Sequence, residues 1–413
     1  MIPNCCGGVV MAGSRLRIIV IGSLIREPTG GNAWANLSYV LGLAELGHDV
    51  YYFEDSDDYA ACYDPRISAA TTDATYGLSF AANAFARLRL DDRWAYYDAH
   101  AGEWKGARAR DAGALCKSAD LIVSYSGMWG NPLREWFETV PRRAVIDGDP
   151  GFTQVRNLVD PVFRRRCEAY TAFFTIGANI GKPGCMIPAD GFPWETTRPP
   201  VSLAAWPYLP GPRNARYTTV MQWETFPRPM RYGGLRLATK SESFRTFADL
   251  PRRLGPIFDI AVRSRRTSPD AMLRQAGWGI ADVDAISRDP WAYQEFIQQS
   301  KAEFGIVKAG YVETRSGWFS ERSAAYLASG RPVLHQDTGF PDWLPDGEGA
   351  FAFRSPEDVI DAVSRIDTDY DAHCRAAREL AVEYFSTDRV LPPLIDAAMA
   401  ASDPKMRAFG ALL

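Results

Sequence analysis

The chain has 413 residues, of which 46% are hydrophobic and 23% charged. This composition is typical of globular proteins, and the length exceeds what one hydrophobic core usually organises. The 46 Lys and Arg against 50 Asp and Glu give a net charge of −4, which provides no general attraction to nucleic acid or to an anionic membrane. We therefore expect two domains and no nucleic-acid partner.

The apolar runs are short and the cysteines have no metal-binding spacing. Runs such as residues 18–21 fall far below the roughly 20 residues of a spanning helix, so no integral membrane segment is expected. Residues 1–13 lack the apolar stretch of a secretory signal and are interpreted as a ragged leader, or Met11 as the true start. Seven cysteines without a C-x-x-C pair indicate neither a zinc site nor a disulfide framework. Together these features favour a cytoplasmic protein.

The first half of the chain predicts alternating strands and helices. A β-branched run at 17–21 predicts a buried parallel strand. A helix over 33–46, opened by Gly30, Gly31 and Asn32, and a strand at 49–53 complete a βαβ unit. Further strands are predicted at 121–125, 144–146 and 172–176, whereas 57–118 has only helical patches such as 81–88 and is not assigned.

A proline-rich segment at 206–212 favours neither helix nor central strand and predicts a domain boundary. A second alternating series follows it. Its strands are predicted at 217–222, 258–262, 304–307 and 332–334, and its helices at 243–250, 290–303, 321–329 and 356–366. The sequence thus predicts an N-terminal α/β domain at 1–205, a hinge at 206–212, a second α/β domain at 213–385, and a helical segment at 386–413 that packs back on the first domain.

The second domain is locally basic. Residues 211–335 hold 19 Lys or Arg against 12 Asp or Glu, which predicts that this domain binds an anion, the alternative being a solvated basic face. The densest stretch contains a helix that Ser320 caps, Gly330 ends and Pro332 prevents from continuing. Free N–H groups at the start of such a helix favour phosphate.

Side chains around that helix start have the chemistry to bind a sugar linked to a diphosphate. Glu313 and Glu321 can accept hydrogen bonds from sugar hydroxyls, and Lys308 and Arg315 can neutralise phosphate. Ser316 and Gly317 in the preceding loop allow a backbone to approach closely.

Two glutamates with seven residues between them, Glu313 and Glu321, followed by the run LASGRPV at 327–333, resemble the donor-site signature of bacterial GT-B glycosyltransferases of the group 1 and group 4 type. The chain differs in having TRSGWF at 314–319 where a Gly-Phe-Gly segment is more usual. The resemblance implies two Rossmann-like domains whose parallel sheets face each other across a cleft. The first would hold an acceptor and the second a nucleotide-sugar, which is a substrate, so no cofactor is implied. The acceptor would be a small molecule, a lipid or a glycan, and the glutamate pattern leans toward retention of the anomeric configuration.

The resemblance also implies roles for individual residues. Glu321 would contact the ribose, Ser316 and Gly317 the diphosphate, and Asp337 the donor sugar. We assign two residues to catalysis, Glu313 and Asp149. The assigned donor-binding residues are Lys240, Lys308, Arg315, Ser316, Gly317, Glu321, Arg322, His335 and Asp337, and the assigned cleft loop is Gly30, Gly31 and Asn32.

Three alternatives remain open. Asp147 and Asp149 have the Asp-x-Asp spacing of a metal site, but the cations suited to a diphosphate lie in the other domain, so transfer without a metal ion is expected. An NAD-dependent oxidoreductase would use Glu54 on the ribose, although no G-x-G-x-x-G follows Gly22. A non-catalytic sugar-nucleotide binding protein with the same fold is the third alternative.

Overall fold

The computed structural model describes residues 15–401 except 131, 227 and 265–267. The leader interpreted at 1–13 and the last part of the segment predicted at 386–413 lie outside these residues. No helix within the described part combines the length and the apolar character needed to cross a bilayer.

The first domain is built on an eight-stranded sheet. The order of its strands is β10-β9-β8-β7-β1-β2-β5-β6, and all neighbours are parallel except β5 and β6. A separate hairpin pairs β3 with β4. The elements are β1 Arg17–Ile21, α1 Gly30–Glu45, β2 Asp49–Asp55, β3 Cys62–Asp64, β4 Ala69–Thr71, α2 Thr75–Arg87, β5 Trp94–Asp98, β6 Glu103–Lys105, α3 Ala112–Ser118, β7 Leu121–Tyr125, α4 Glu135–Glu138, β8 Arg142–Asp147, α5 Phe152–Val159, α6 Pro161–Cys167, β9 Ala172–Thr175 and β10 Glu195–Thr196.

The second domain is built on a six-stranded parallel sheet with the order β15-β14-β11-β16-β17-β18. A small hairpin pairs β12 with β13. The elements are β11 Tyr217–Gln222, β12 Met230–Tyr232, β13 Leu235–Leu237, α7 Lys240–Phe244, α8 Leu250–Leu254, β14 Phe258–Arg263, α9 Asp270–Gln275, β15 Gly279–Ile280, α10 Val283–Ser287, α11 Pro290–Gln298, β16 Ala302–Gly305, α12 Ala309–Glu313, α13 Glu321–Ala328, β17 Val333–Gln336, β18 Ala350–Phe353, α14 Pro356–Thr368, α15 Tyr370–Leu380 and α16 Thr387–Ala400.

The predicted α/β class with two parallel sheets facing across a cleft is therefore confirmed. Most residues of these strands are buried, as expected when helices cover both faces of a parallel sheet. One continuous apolar cluster extends across both domains and includes side chains of α1, α11, α13 and α16. The domains thus share part of their core.

Two predicted helices of the second domain were wrong in their bounds. The helix predicted at 290–303 ends at Gln298, and Glu303 lies instead in β16, where its side chain pairs with Arg322. The helix predicted at 243–250 is replaced by α7, a short 3-10 turn and α8, because Pro251 fits the first turn of a new helix better than the interior of an old one.

The segment 206–212 contacts both domains. The Arg331 guanidinium donates to the carbonyl oxygens of Leu209 and Pro210, and Arg378 donates to that of Trp206. The Trp206 ring is buried against Trp34 of α1, with centroids 5.1 Å apart. The last described helix, α16, packs against α1 and the sheet of the first domain.

Candidate functional site

A cleft of about 510 Å³ separates the carboxyl ends of β11 and β14 from the start of α1. We call it the interdomain cleft. In parallel sheets this edge is where ligands usually bind. Of the predicted site residues, the cleft is lined by Gly31, Asn32, Lys240, Glu321 and Arg322.

Lys240 begins α7 and lies on the second-domain side of the cleft. Burial lowers the pKa of its ammonium to about 7, and the nearby cations of Arg322 and Lys308 act in the same direction. No carboxylate of the described residues lies within ion-pair distance of its Nζ atom. An anionic ligand would therefore restore its positive charge.

Glu321 and Arg322 open α13, whose first turn Ser320 caps by accepting from the Arg322 N–H at 3.2 Å. Arg322 is 7% exposed; its Nε pairs with Glu303 and its Nη1 donates to the Val220 carbonyl at 2.8 Å. Its remaining nitrogen, Nη2, is buried and has no hydrogen-bond partner among the described residues. A buried unpaired donor is costly, so this nitrogen is suited to a ligand oxygen.

The first turn of α1 forms the opposite wall. Its N-cap Thr29 makes no side-chain capping bond and the turn has no acidic residue, so its amide dipoles favour an anion. Gly30 and Gly31 also pack closely on the second domain. A Cβ on Gly30 would lie 2.5 Å from the Tyr293 Cβ and 2.7 Å from the Asp289 carbonyl oxygen. The glycines therefore set how near α1 approaches α11.

Other predicted site residues join the two domains instead of lining the cleft. The Lys308 Nζ lies 2.7 Å and 2.8 Å from the two carboxylate oxygens of Asp149, and the Tyr311 hydroxyl donates to the same carboxylate. Lys308 and Asp149 are nearly buried, with side chains 11% and 14% exposed. We call this ion pair, with the loop 314–318 beside it, the interdomain seam.

Ser316 and Gly317 belong to this seam. The Asn179 N–H donates to the Ser316 carbonyl at 3.0 Å. Gly317 has a φ of +72°, and a Cβ there would lie 2.8 Å from the Asn179 backbone nitrogen. The indole of Trp318 donates to the carbonyl of Gly148 at 3.3 Å. The close backbone approach predicted for Ser316 and Gly317 is thus made to the first domain.

Four more predicted residues lie away from the cleft. Glu313 and Arg315 are exposed, and Arg315 pairs with Asp342 at 3.3 Å. His335 is fully buried and stacked on Phe319, and burial lowers the pKa of its imidazole to about 3. Asp337 is buried, accepts from the Gly339 N–H and pairs with Arg354.

The two acids of the Asp-x-Asp pattern both have protein partners. Asp147 is fully buried and accepts from the hydroxyls of Thr153 and Thr175 and the amide of Gln154. Burial raises the pKa of its carboxyl to about 6. Asp149 is held by Lys308. Among the described residues, no group of three or more His, Cys, Asp or Glu side chains is arranged to hold a metal ion.

The NAD alternative depended on Glu54, which is fully buried. Its oxygens accept from the backbone N–H groups of Ile25 and Arg26 and from the Tyr52 hydroxyl. Burial raises the pKa of its carboxyl to about 7. Glu54 therefore braces the loop after β1 and does not present an oxygen to a ribose.

Sequence reasoning missed Arg263 and Tyr125, which also line the cleft. Each is the last residue of its parallel strand, β14 and β7 respectively. That position was a usable signal, because strand carboxyl ends face the cleft in such sheets. A second cavity, of about 490 Å³, adjoins the cleft within the first domain and shares Tyr125 with it.

No protein-family model and no curated protein matches the sequence. Solved structures do match the fold. An α-glucosyltransferase in complex with UDP-glucose and DNA containing an abasic site aligns with a TM-score of 0.56 at 11% identity, over 93% of this chain and 100% of that chain. A sucrose-phosphate synthase from Thermosynechococcus elongatus aligns with a TM-score of 0.50 at 11% identity, over 96% of this chain and 100% of that chain. With its two Rossmann-like domains facing a common cleft, the chain has the GT-B glycosyltransferase fold.

Proposed function

We propose that the protein is a glycosyltransferase that moves a sugar from a nucleoside-diphosphate sugar to an acceptor hydroxyl. The observation that carries the proposal is the chemistry of the interdomain cleft. Lys240 without an acidic partner, the free Nη2 of Arg322 and the uncapped start of α1 converge on one space beside the Glu321 carboxylate. Two cations and a helix start suit a diphosphate, and a carboxylate suits ribose hydroxyls.

Each group has a separate role in this proposal. Lys240 and Arg322 bind the diphosphate from the second domain, and the N–H groups of Gly31 and Asn32 bind it from the first. Glu321 accepts hydrogen bonds from the ribose hydroxyls. Binding between two domains excludes water and orients the anomeric carbon toward the acceptor.

In the transfer step the bond between the anomeric carbon and the β-phosphate oxygen breaks, and a bond to the acceptor oxygen forms. The acceptor's proton leaves to the departing diphosphate or to solvent, so charge balances. Charge develops on the diphosphate, where Lys240, Arg322 and the start of α1 stabilise it electrostatically. These groups supply the positive charge that a metal ion provides in other transferases, so the proposal is transfer without a divalent cation.

The α-glucosyltransferase of similar fold was solved with UDP-glucose, which supports a nucleotide-sugar as the donor. The oxidoreductase alternative has no comparable support, because the acid it requires, Glu54, is buried and fully hydrogen-bonded.

The proposal is tested first by thermal unfolding in the presence of UDP, GDP, dTDP, CMP or NAD. We expect one nucleoside diphosphate to raise the melting temperature, since a ligand at 100 times its Kd adds about 2.7 kcal/mol of stability. The sugar conjugate of that nucleotide should then be hydrolysed or transferred. Lys117→Ala, an exposed change on α3, is the matched control and should respond as the wild type does. Stabilisation by NAD alone would contradict the proposal, and binding without turnover would leave a non-catalytic binding protein.

A further inference from the structure

A cavity of about 330 Å³ lies at the edge of the first-domain sheet, where the carboxyl ends of β9 and β10 meet α16. The side chain of Trp343, from the second domain, also lines it. We call it the edge cavity. Its described lining shares no residue with that of the interdomain cleft or of the cavity that adjoins the cleft. A ligand in the edge cavity is therefore neither in the donor position nor beside it.

Arg198 provides a half-buried cation on the wall of this cavity. Its guanidinium carbon lies 5.1 Å from the ring centroids of both Trp343 and Tyr384, and its Nη1 donates to the Tyr384 carbonyl at 3.4 Å. No carboxylate in the described part of the chain forms an ion pair with it. Burial lowers the pKa of the guanidinium, because its charge is partly desolvated without a paired anion. An anionic ligand would supply that partner.

Two further cations line the edge cavity. Lys182 is exposed and forms no ion pair with the described residues. Arg389, in the first turn of α16, pairs with Glu383 at 3.7 Å, and both side chains are more than half exposed. Such a pair contributes little to stability, so a ligand can replace it at small cost. Against these three cations the described lining holds one carboxylate, Glu195, and this balance favours an anion.

The rest of the described lining is mainly apolar. Phe174 and Ala178 contribute from the first-domain sheet and the loop after it, and Val390, Pro393 and Leu394 contribute from α16. Apolar surface gains free energy when the carbon skeleton of a ligand covers it, whereas an inorganic ion leaves it wet. The volume of about 330 Å³ is at the small end of the range for ligand pockets. The edge cavity therefore suits a small organic anion.

The edge cavity is also connected to the interdomain seam. The Trp343 ring lies against Arg198, and its indole Nε1 donates to the carbonyl of Gly317 at 2.9 Å. The loop that contains Gly317 is joined to the first domain through Asn179, whose N–H donates to the Ser316 carbonyl. A ligand held by Arg198 and packed on Trp343 would contact both domains, so its binding should stabilise the folded protein.

We propose that the edge cavity is a second binding site, which takes a small phosphomonoester. Arg198, Lys182 and Arg389 bind the phosphate, and the carbon skeleton lies on the apolar part of the lining. A phosphomonoester carries about two negative charges at neutral pH and so matches several cations better than a single carboxylate does. The site does not depend on the proposed function, because it shares no residue with the cleft in which the nucleotide-sugar would bind.

The test measures binding to the full-length protein by titration calorimetry and thermal unfolding at constant ionic strength. The probes are glucose 6-phosphate, ribose 5-phosphate and glycerol 3-phosphate. Their controls are glucose, ribose, glycerol and inorganic phosphate. We expect at least one phosphomonoester to raise the melting temperature and to bind about tenfold or more tightly than inorganic phosphate and than its own uncharged counterpart. Vesicles that contain phosphatidic acid present the same phosphate on a membrane and distinguish that source.

Variants of the lining locate the bound phosphate. Arg198→Gln should weaken phosphomonoester binding by about tenfold or more, because it removes a charge-assisted hydrogen bond. Lys182→Gln, at an exposed position, should weaken it by about threefold without risk to folding. Glu195→Gln removes the acid of the lining and should strengthen binding by about twofold, a gain that misfolding cannot produce. Lys117→Gln, which removes a positive charge from the exposed side of α3, is the matched control and should leave affinity unchanged.

Lys240→Ala separates the edge cavity from the interdomain cleft and should retain full phosphomonoester affinity. Loss of binding in Lys240→Ala with retention in Arg198→Gln would place the anion in the cleft and overturn the proposal. Unchanged affinity in both Arg198→Gln and Lys182→Gln would also overturn it. The same holds if no phosphomonoester binds, if inorganic phosphate or the uncharged counterparts bind equally well, or if only the vesicles bind. Failure of every nucleotide to bind would contradict the proposed function alone.

Discussion

The interdomain cleft and the interdomain seam lie between the same two domains but differ in how their charges are used. In the seam, Lys308 is bound to both oxygens of Asp149 and the loop 314–318 packs against the first domain. In the cleft, Lys240 has no carboxylate partner among the described residues, and Arg322 keeps one nitrogen free. A cation is available to a ligand only if the fold leaves it unpaired. The comparison thus separates the residues that we propose to bind substrate from the residues that join the two domains.

The largest expected effect is in the seam. Lys308→Ala leaves the nearly buried Asp149 carboxylate without its cation, which should lower the free energy of unfolding by about 3 kcal/mol. Nucleoside diphosphate affinity should change by less than about threefold, a difference under 1 kcal/mol. Urea unfolding and calorimetry measure the two quantities. The double variant with Asp149→Asn should recover part of the stability. A large loss of nucleoside diphosphate affinity with intact stability would show that Lys308 contacts the ligand and does not stabilise the interdomain seam.

In the cleft, Lys240→Ala should weaken nucleoside diphosphate binding by about 2 kcal/mol, since it removes a charge-assisted hydrogen bond. Binding of the parent nucleoside should be spared, because it lacks the diphosphate. Titration calorimetry with the nucleoside diphosphate and with the nucleoside measures the two affinities separately. Lys117→Ala serves as the control. An equal loss for both ligands would argue against a phosphate contact at Lys240.

Glu321→Ala should cost about 1–2 kcal/mol of binding free energy, through one or two ribose hydrogen bonds. Here the nucleoside and the diphosphate should weaken alike, in contrast to Lys240→Ala. Retention of full donor affinity in a folded Glu321→Ala protein would remove this residue from the site.

A smaller effect is expected in the pH dependence of binding. The pKa of Lys240 is about 7 in the unliganded protein, so at pH 8 the amine is mostly neutral. A bound diphosphate raises that pKa, so binding at pH 8 should take up part of a proton and affinity should fall as pH rises above 7. Calorimetry in two buffers of different ionisation enthalpy measures the uptake. Lys240→Arg, always charged, should abolish it, and unchanged uptake in that variant would point to another group.

The smallest expected effect is that of metal removal. Because Asp147 and Asp149 are committed to protein partners, transfer should continue after exhaustive chelation. The assay compares chelated enzyme with and without added magnesium or manganese. Loss of most activity that either ion restores would contradict the proposed cation-based mechanism.

The fold could be predicted from the sequence because buried parallel strands are short runs rich in apolar residues, as at β1 and β7. Residues 57–118 could not be assigned, since their hairpins and edge strands are three to five residues long and have little periodicity. The place of Glu303 in a buried strand could not be recognised from the sequence, since a charged residue rarely occupies such a position and its partner Arg322 is distant in sequence.

The candidate site could be predicted only in part, because the stretch around the start of α13 supplies residues to both the interdomain cleft and the interdomain seam. Glu321 and Arg322 follow from the capped helix start, and Lys240 and Gly31 from their positions at helix beginnings. Nothing local shows that Lys308 meets Asp149, or that Gly317 meets Asn179, because these contacts depend on how the domains are placed. The hinge predicted at 206–212 remains a prediction.

The most direct test is a crystal structure of the protein with the nucleoside diphosphate that stabilises it. We predict the diphosphate within hydrogen-bonding distance of the Lys240 Nζ and the Arg322 Nη2, the ribose on Glu321, and Lys308 still paired with Asp149. A diphosphate bound to Lys308 and the Ser316–Gly317 loop, with the pair to Asp149 broken, would contradict the division between cleft and seam.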